Sequence, residues 1–245
     1  MTVVAAFRTC MACVLVPLYI LLVAPLALTL GGVFRWKRGM FAFGHGGVRL
    51  ALASVGIRYR VTGLEQVPRD RAVVFCSNHE SNVDPPVLFE ALHPLLHVLY
   101  KAELRRFPVM RTVFDVGGFV AIERGNRDRA MASIARGAQA LRSGLSFLIF
   151  PEGTRSRTGE LQPFKKGGII MAIEAQAPIV PVAIQGGRGA MRKGSSIVRP
   201  AFVTVRVGRP IETAGLSVDD RDAVSSRVRD AVQKLLAEGP LDARG

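Results

Sequence analysis

Residues 75–84 read Phe75-Cys76-Ser77-Asn78-His79-Glu80-Ser81-Asn82-Val83-Asp84. The apolar run of residues 72–76 is typical of a β-strand, and it breaks abruptly into polar residues at Ser77. After Asp84 come Pro85 and Pro86, and then a helix-like run over residues 87–92. Because α/β sheets bind ligands beyond the carboxyl ends of their strands, this pattern predicts an α/β fold with a site at His79 and Asp84.

The spacing of His79 and Asp84 limits how their side chains can meet. Histidine is the side chain best suited to take a proton near neutral pH, and a neighbouring carboxylate fixes its tautomer and stabilises the imidazolium. Five residues along a regular helix turn through about 500°, which would leave the two side chains roughly 140° apart. They meet only in a turn that enters a helix, and Pro85 favours one because it disfavours helical dihedrals at Asp84. The alternative is that Asp84 caps the helix and His79 is an ordinary loop residue.

Strand-like and helix-like segments alternate along residues 57–245. The predicted strands are residues 57–61, 72–76, 96–100, 119–122, 145–150, 179–184 and 202–207. The predicted helices are residues 87–92, 127–142, 169–175 and a C-terminal helix capped by Ser217. Residues 101–115 and 185–199 are expected to be irregular and basic. The alternation predicts one α/β domain over residues 57–245, a mixed, largely parallel sheet flanked by helices.

Residues 1–56 are expected to hold the protein at a membrane. Residues 9–34 contain no charged side chain and are long enough to span a bilayer, although Pro17 and Pro25 are expected to kink a helix there. A cleaved signal peptide is the competing interpretation, but the apolar run is long for one. Residues 39–55 predict a second, semi-apolar helix that lies along the bilayer. We therefore expect an N-terminal hydrophobic anchor of one helix or two.

Basic residues flank the apolar run unequally. Arg35, Lys37 and Arg38 follow it, whereas only Arg8 precedes it. By the positive-inside tendency, the domain of residues 57–245 is expected on the cytoplasmic side of the cell membrane.

The chain is strongly basic, with a formal net charge of +14. Such a charge predicts a polyanionic partner, which can be nucleic acid, anionic membrane lipids or a phosphorylated substrate. Because the chain has only 3 Tyr and 1 Trp, it offers few platforms for stacking bases, and it carries no nucleic-acid-binding motif. These features disfavour nucleic acid as the partner.

The cysteines and histidines form no metal-binding pattern. Cys10 and Cys13 have the spacing of a redox motif but lie in the apolar N-terminal run, and Cys76 ends a predicted strand. The other histidines are scattered and are interpreted as surface or packing residues: His45, His93 and His97. The sequence therefore predicts neither a metal site nor a cofactor.

Three predicted strand ends carry polar turns, at residues 78–84, at Glu123-Arg124 and at residues 151–156. Because such turns gather on one edge of an α/β sheet, a base and several cations could meet there. Arg124 and Arg155 would supply forked donors, and Lys101 a point charge, for a phosphate dianion. The alternative is that each is an ordinary solvated surface residue.

Several motifs resemble those of the 1-acylglycerol-3-phosphate acyltransferase family, in the same order and over roughly residues 57–210. Residues 78–84 fit its N-H-x4-D motif, and residues 150–156 match its third motif, F-P-E-G-T-R-S, at every position. Three further stretches resemble the second motif, the fourth motif and the K-x-E-L element: residues 118–124, 180–184 and 101–104. Glu80 stands where the family often has glutamine.

The resemblance implies a general base at His79, oriented by Asp84, that acts on the free hydroxyl of a lysophospholipid. The hydroxyl would attack the thioester of acyl-CoA or acyl-carrier protein directly, without a covalent serine intermediate and without a cofactor. Backbone amides of the first turn are expected to stabilise the tetrahedral oxyanion. The implied substrate-binding residues are Lys101, Arg124, Glu152, Gly153, Thr154 and Arg155.

The implied activity is acylation of the sn-2 hydroxyl of lysophosphatidate (1-acylglycerol 3-phosphate), which forms phosphatidate in phospholipid biosynthesis. A membrane anchor fits this activity because the acceptor and the product are lipids. One alternative is a paralogous acyltransferase with another acceptor, such as a lyso-ornithine lipid, another lysophospholipid or glycerol 3-phosphate. The other is a non-catalytic, basic membrane-binding protein, which would have no need for His79 and Asp84 beside phosphate-binding cations.

Overall fold

The computed structural model describes residues 2–106, 108–122 and 127–242. In these residues the helices are α1 (Thr2–Gly32), α2 (Lys37–Val55), α3 (Asp84–Leu92), α4 (Pro108–Gly117), α5 (Arg127–Arg142), α6 (Gly167–Ala175), α7 (Gly187–Ala190) and α8 (Arg221–Ala237). The strands are β1 (Ile57–Thr62), β2 (Val74–Ser77), β3 (His97–Lys101), β4 (Val120–Ile122), β5 (Phe147–Ile149), β6 (Ile179–Gln185) and β7 (Ala201–Val207).

The strands form one sheet in the order β1-β7-β6-β2-β5-β3-β4. From β6 to β4 neighbouring strands run parallel. β7 is antiparallel to β6, and β1 is parallel to β7. The predicted mixed, largely parallel sheet is therefore confirmed, and five strands end at the same edge.

Helices cover both faces of the sheet, because its central strands are apolar on both sides. In β2, Phe75 points into a core shared with α2 and α3. Its neighbours Val74 and Cys76 point into the opposite core, which α5, α6 and α8 close. The predicted flanking layers are thus present, with the middle of β2 fully buried.

The prediction of an irregular segment over residues 101–115 is wrong. A 3-10 helix spans Ala102–Arg106, and α4 follows it. The many basic residues obscured an amphipathic pattern in which Phe114 is buried and Arg111 is exposed. Asp115 offsets part of the positive charge, because it accepts two hydrogen bonds from Arg105 (2.7 and 3.0 Å). In the other predicted loop, residues 185–199, the short helix α7 is present.

α1 runs without a break through Pro17 and Pro25. It is the one helix in the described part of the chain that is long and apolar enough to cross a membrane, with a mean hydropathy of 2.5 over its most apolar window. Only 11% of that window is buried in the protein. α1 therefore presents most of its apolar surface to its surroundings.

Polar contacts fasten α2 to its neighbours on both sides. Tyr19 of α1 donates a hydrogen bond to the Phe43 carbonyl of α2 (2.8 Å). On its other side, His45 contacts Glu90 of α3 through Nδ1 (2.6 Å), and Arg49 binds the same carboxylate. The N-terminal helices α1 and α2 are thus joined to the rest of the fold next to α3, the helix that begins at Asp84.

Candidate active site

The candidate site lies at the edge of the sheet where the five parallel strands end. β2 ends at Ser77, β5 at Ile149 and β6 at Gln185. Since these strands are adjacent, the turns that follow them meet. Asn78 ties the first turn to β6, because its side-chain amide accepts from the Ile184 N–H (2.8 Å) and donates to the Ile184 carbonyl (2.9 Å).

The side chains of His79 and Asp84 meet within this turn. The distance from His79 Nδ1 to Asp84 Oδ2 is 2.9 Å. The same oxygen accepts hydrogen bonds from the backbone N–H groups of Glu80 (2.6 Å) and Ser81 (2.7 Å). Both donors lie before α3, whereas a capping side chain would bind N–H groups inside the helix. The Asp84 carboxylate therefore holds the turn together and is not a helix cap.

These hydrogen bonds fix which nitrogen of His79 carries the proton. An oxygen that already accepts two N–H groups also accepts from the ring, so Nδ1 donates and Nε2 keeps its lone pair. The His79 side chain is 15% exposed, whereas that of Asp84 is fully buried. Phe150 stacks on the imidazole with ring centroids 4.2 Å apart. The turn thus presents one accessible proton-accepting nitrogen, backed by a buried carboxylate.

Glu152 joins the third motif to the first. Its carboxylate accepts hydrogen bonds from the backbone N–H groups of His79 (2.7 Å) and Gln162 (3.1 Å). In return, the Ser156 N–H donates to the His79 carbonyl (2.8 Å). Since Glu152 is buried and both of its oxygens are engaged, its geometry favours support of the His79 backbone. Its direct contact with a substrate stays a prediction.

The middle of the third motif is more open. Gly153 adopts a φ of +70°, and a Cβ added there would lie 2.8 Å from Lys165 Nζ. Thr154 is exposed and Arg155 is half-buried. Lys193 Nζ donates to Thr154 Oγ1 (3.0 Å) and to the Arg155 carbonyl (3.2 Å). Two lysines thus join the predicted arginine at this turn.

Lys165 and Lys193 belong to none of the sequence motifs. A signal for Lys165 is its place in the basic loop after the third motif, and its N–H donates to the Pro151 carbonyl (2.7 Å). For Lys193 the signal is the basic loop after β6, a strand that turns out to neighbour β2. That neighbour relationship is a property of the sheet, and no local pattern reports it.

Of the two remaining predicted phosphate-binding residues, Lys101 lies at the end of a strand. β3 ends at Lys101, which pairs with Ile122, the last residue of β4. Both strands therefore end at the edge that carries His79. Arg124 lies outside the described residues. The contact of either residue with a phosphate stays a prediction.

The backbone amides of the first turn are already engaged. Those of Glu80 and Ser81 donate to Asp84, that of Val83 donates to Ser81 Oγ (3.2 Å), and that of His79 donates to the third motif. Their hydrogens point at protein acceptors, so these four amides do not form the expected oxyanion site.

Burial shifts the pKa of two glutamates beside His79. Glu80 is buried, and desolvation, followed by repulsion from Asp84, raises its pKa to about 7. Desolvation also raises the pKa of Glu152, because it outweighs the two backbone hydrogen bonds to that carboxylate. Burial likewise raises the pKa of the Cys76 thiol, which makes Cys76 a packing residue rather than a nucleophile.

An apolar cavity of about 400 Å³ lies between the N-terminal helices α1 and α2 and the rest of the fold. Pro85 and Pro86, directly after Asp84, form part of its wall. The remaining walls come mainly from α1, α2 and α3, with side chains that include Tyr19, Leu28, Phe41, Val48 and Phe89. An apolar cavity beside a polar edge suits a ligand with a hydrocarbon chain and a polar head.

The histidines outside the first motif have local roles. His97 is buried among the rings of Phe41, Phe119 and Phe147, and desolvation lowers its pKa to about 4. Among the described residues, no group of three His, Cys, Asp or Glu side chains is placed to hold a metal ion.

Comparison with known proteins identifies a family and several relatives. The Acyltransferase family model matches residues 58–185, which contain the first and third motifs. The 1-acyl-sn-glycerol-3-phosphate acyltransferase of Cocos nucifera is 37% identical over 172 residues, which are 70% of this chain and 55% of that protein. The enzyme of the same name from Borreliella burgdorferi is 30% identical, over 77% of this chain and 76% of its own. This chain thus spans about half the length of the coconut relative.

A solved structure shares the fold. The crystal structure of the 1-acyl-sn-glycerophosphate (LPA) acyltransferase from Thermotoga maritima superposes with a TM-score of 0.70 at 25% sequence identity. The match covers 91% of this chain and 95% of that one. It therefore leaves about a tenth of this chain unmatched.

Proposed function

Because the chain belongs to the Acyltransferase family, we propose that it moves a fatty acyl group from a thioester donor to the sn-2 hydroxyl of 1-acylglycerol 3-phosphate. The product is phosphatidate. The observation that carries the proposal is the 2.9 Å hydrogen bond between His79 Nδ1 and Asp84 Oδ2, which leaves Nε2 as a proton acceptor beside the third motif. The names of the coconut and Borreliella relatives support this choice of acceptor.

In the proposed reaction, His79 Nε2 takes the proton of the acceptor hydroxyl while the hydroxyl oxygen attacks the thioester carbonyl. A C–O bond forms, and the negative charge moves to the former carbonyl oxygen. When the tetrahedral intermediate collapses, the C–S bond breaks and the leaving thiolate takes the proton from the imidazolium. Asp84 stabilises the imidazolium meanwhile, and base catalysis of this kind contributes about 10²–10⁴-fold. A thioester is already activated, so no covalent enzyme intermediate is needed.

The cations of the third motif form the proposed phosphate site. Arg155 supplies a forked donor, and Lys165 and Lys193 add point charges from two neighbouring loops. We propose that Lys101 and Arg124 complete this site. The acyl donor is acyl-CoA or acyl-carrier protein, and no cofactor takes part.

The proposed reaction takes place at the membrane surface. We propose that residues 1–56 anchor the chain and that residues 57–245 form the catalytic domain on the cytoplasmic side. The exposed apolar side chains of α1 support this anchoring; Leu21 is 72% and Leu22 68% exposed. The apolar cavity beside Pro85 then receives an acyl chain from the lipid layer without carrying it through water.

The test uses the purified full-length chain in phospholipid vesicles with labelled acyl-CoA or acyl-carrier protein. The acceptors are 1-acylglycerol 3-phosphate, a lyso-ornithine lipid, lysophosphatidylcholine and glycerol 3-phosphate. We expect labelled phosphatidate as the main product, and we expect His79→Ala to abolish transfer while it leaves vesicle binding unchanged. Normal turnover by His79→Ala would refute the base. Turnover with only another acceptor would assign the chain to a paralogous reaction.

A further inference from the structure

The segment that follows β6, residues 186–191, runs directly behind the first motif. β6 is the parallel neighbour of β2, so its continuation passes beside the turn that carries His79 and Asp84. β6 ends at Gln185, Gly186 has a φ of +99°, and α7 begins at Gly187. None of the catalytic assignments above depends on this segment.

Contacts from the end of β6 and from the segment after it reach the turn. Asn78 binds the backbone of Ile184, as described above. At the far end, Ser81 Oγ donates to the Met191 carbonyl (2.8 Å). Between these two hydrogen bonds, Gly187 packs against the Asp84 carboxylate. The turn is therefore held at both ends and supported in the middle.

The contact at Gly187 leaves no space for a side chain. A Cβ built on Gly187 would overlap Asp84 Oδ1, and it would lie 3.1 Å from the Ser81 Cβ and 3.4 Å from Asp84 Cγ. Oδ1 is buried and has no hydrogen-bond partner among the residues that the structure describes. Its position is therefore set by packing against the segment behind it.

The Asp84 carboxylate cannot yield to a methyl group without disturbing His79. Oδ2 holds three hydrogen bonds, to His79 Nδ1, Glu80 N–H and Ser81 N–H. A rotation or shift that clears Oδ1 from residue 187 must move Oδ2 as well, because both oxygens are bonded to the same carbon. The first hydrogen bond to weaken is the one with the His79 imidazole, because it comes from a side chain whereas the other two donors belong to the backbone.

We propose that Gly187 is a positioning residue for the acyl transfer, which sets the Asp84 carboxylate against His79 by excluding a side chain behind Oδ1. This role rests on the proposed function of His79 as the base. Gly187 itself contacts neither substrate, and it acts only through Asp84.

The test compares Gly187→Ala with Gly189→Ala in the full-length chain, with labelled acyl-CoA and 1-acylglycerol 3-phosphate. Gly189 lies in the same short helix, and a Cβ added there meets no described atom within 4 Å, so it controls for the backbone effect of alanine. For Gly187→Ala we expect kcat to fall about 10²-fold, the cost of misplacing a catalytic group by about 1 Å. KM for both substrates should stay unchanged, and Gly189→Ala should match the parent enzyme.

Two further measurements separate positioning from a general loss of structure. In an Asp84→Ala background the overlap with Oδ1 is gone and only the 3.1 Å approach to the Ser81 Cβ remains, so adding Gly187→Ala should cost little further activity and should leave the protein folded. In Gly187→Ala the Nδ1–H proton of His79 should also lose the downfield NMR shift that a hydrogen bond to a carboxylate produces. Equal kcat for the two glycine variants, or an additive loss in the Asp84→Ala background, would overturn the inference. Activity in His79→Ala would instead refute the proposed function.

Discussion

Glu152 binds the backbone of His79 and that of Gln162. Its Oε1 accepts a hydrogen bond from the His79 N–H at 2.7 Å, and its Oε2 accepts one from the Gln162 N–H at 3.1 Å. The acidic residue of the third motif thus secures the backbone of His79 in the first motif. The family resemblance implied a substrate contact for Glu152, whereas its two hydrogen bonds lie inside the protein. The two motifs form one unit.

Glu152→Ala should lower both the stability and the turnover of the enzyme. It leaves two backbone N–H groups without their acceptor, and a buried unsatisfied donor costs about 1–3 kcal/mol. We expect a lower Tm and a lower kcat, measured by thermal unfolding and by acyl transfer. Glu160→Ala, at an exposed glutamate of the following loop, is the matched control. If the two variants behave alike, Glu152 does not support His79.

Glu80→Gln should stabilise the protein at alkaline pH and have little effect in acid. The pKa of Glu80 is raised from 4.5 to about 7, so the folded state keeps a proton that the unfolded state releases in this range. The favourable contribution of the protonated carboxyl is complete below pH 4.5 and is lost as the pH rises through about 7. Glutamine cannot ionise, so its advantage should reach the order of 2–3 kcal/mol at about pH 8.

Denaturant unfolding of Glu80→Gln and the parent chain at both ends of this pH range checks the expectation. Glu160→Gln serves as the control, because residue 160 is exposed and its change to glutamine removes the same charge. A stability gain that is equal at all pH values would show that Glu80 does not titrate as expected.

Arg155→Ala should raise KM for the acceptor far more than for the donor. A hydrogen bond to a charged group contributes about 1.5–3 kcal/mol, which corresponds to roughly a 10–100-fold change in affinity. Initial-rate kinetics with each substrate varied in turn measure the split. Arg157→Ala, at an exposed arginine two positions along, is the control. An unchanged acceptor KM in Arg155→Ala would move the phosphate site elsewhere.

Aspartates on the outer face of α1 should release the protein from membranes. Leu21 and Leu22 are exposed, and a charged side chain at the centre of a membrane helix costs about 2.5–3.5 kcal/mol. We expect the double variant Leu21→Asp/Leu22→Asp to stay in the bottom fraction of a flotation gradient instead of rising with the vesicles. Val218→Asp, at an exposed apolar residue of the sheet domain, should still float. Co-flotation of the double variant would argue against anchoring through α1.

The local features of the site were predictable from the sequence. The contact between His79 and Asp84 depends on their spacing of five positions and on Pro85. The strand before them has a clear apolar pattern. The largely parallel character of the sheet follows from the alternation of strand-like and helix-like segments, although the order of the strands does not. For these features, the information lies within a few residues of the site.

The features that sequence reasoning missed depend on neighbours distant in the chain. Gly187 and Lys193 reach the site because β6 pairs with β2, a pairing that no local pattern encodes. The engagement of the Glu80 and Ser81 amides by Asp84 depends on where one carboxylate oxygen lies. α4 was missed because it is short and because charged residues interrupt its amphipathic pattern.

The side chain of Asn78 binds both the N–H and the carbonyl of Ile184, and it thereby adds one more rung to the β2–β6 ladder from a side chain instead of a main chain. His79, the next residue, is consequently attached to the middle of the sheet and does not lie on a loop that opens by itself. On heating, acyl-transfer activity should therefore persist until the sheet unfolds. The Ile184 amide hydrogen should exchange with solvent only through global unfolding.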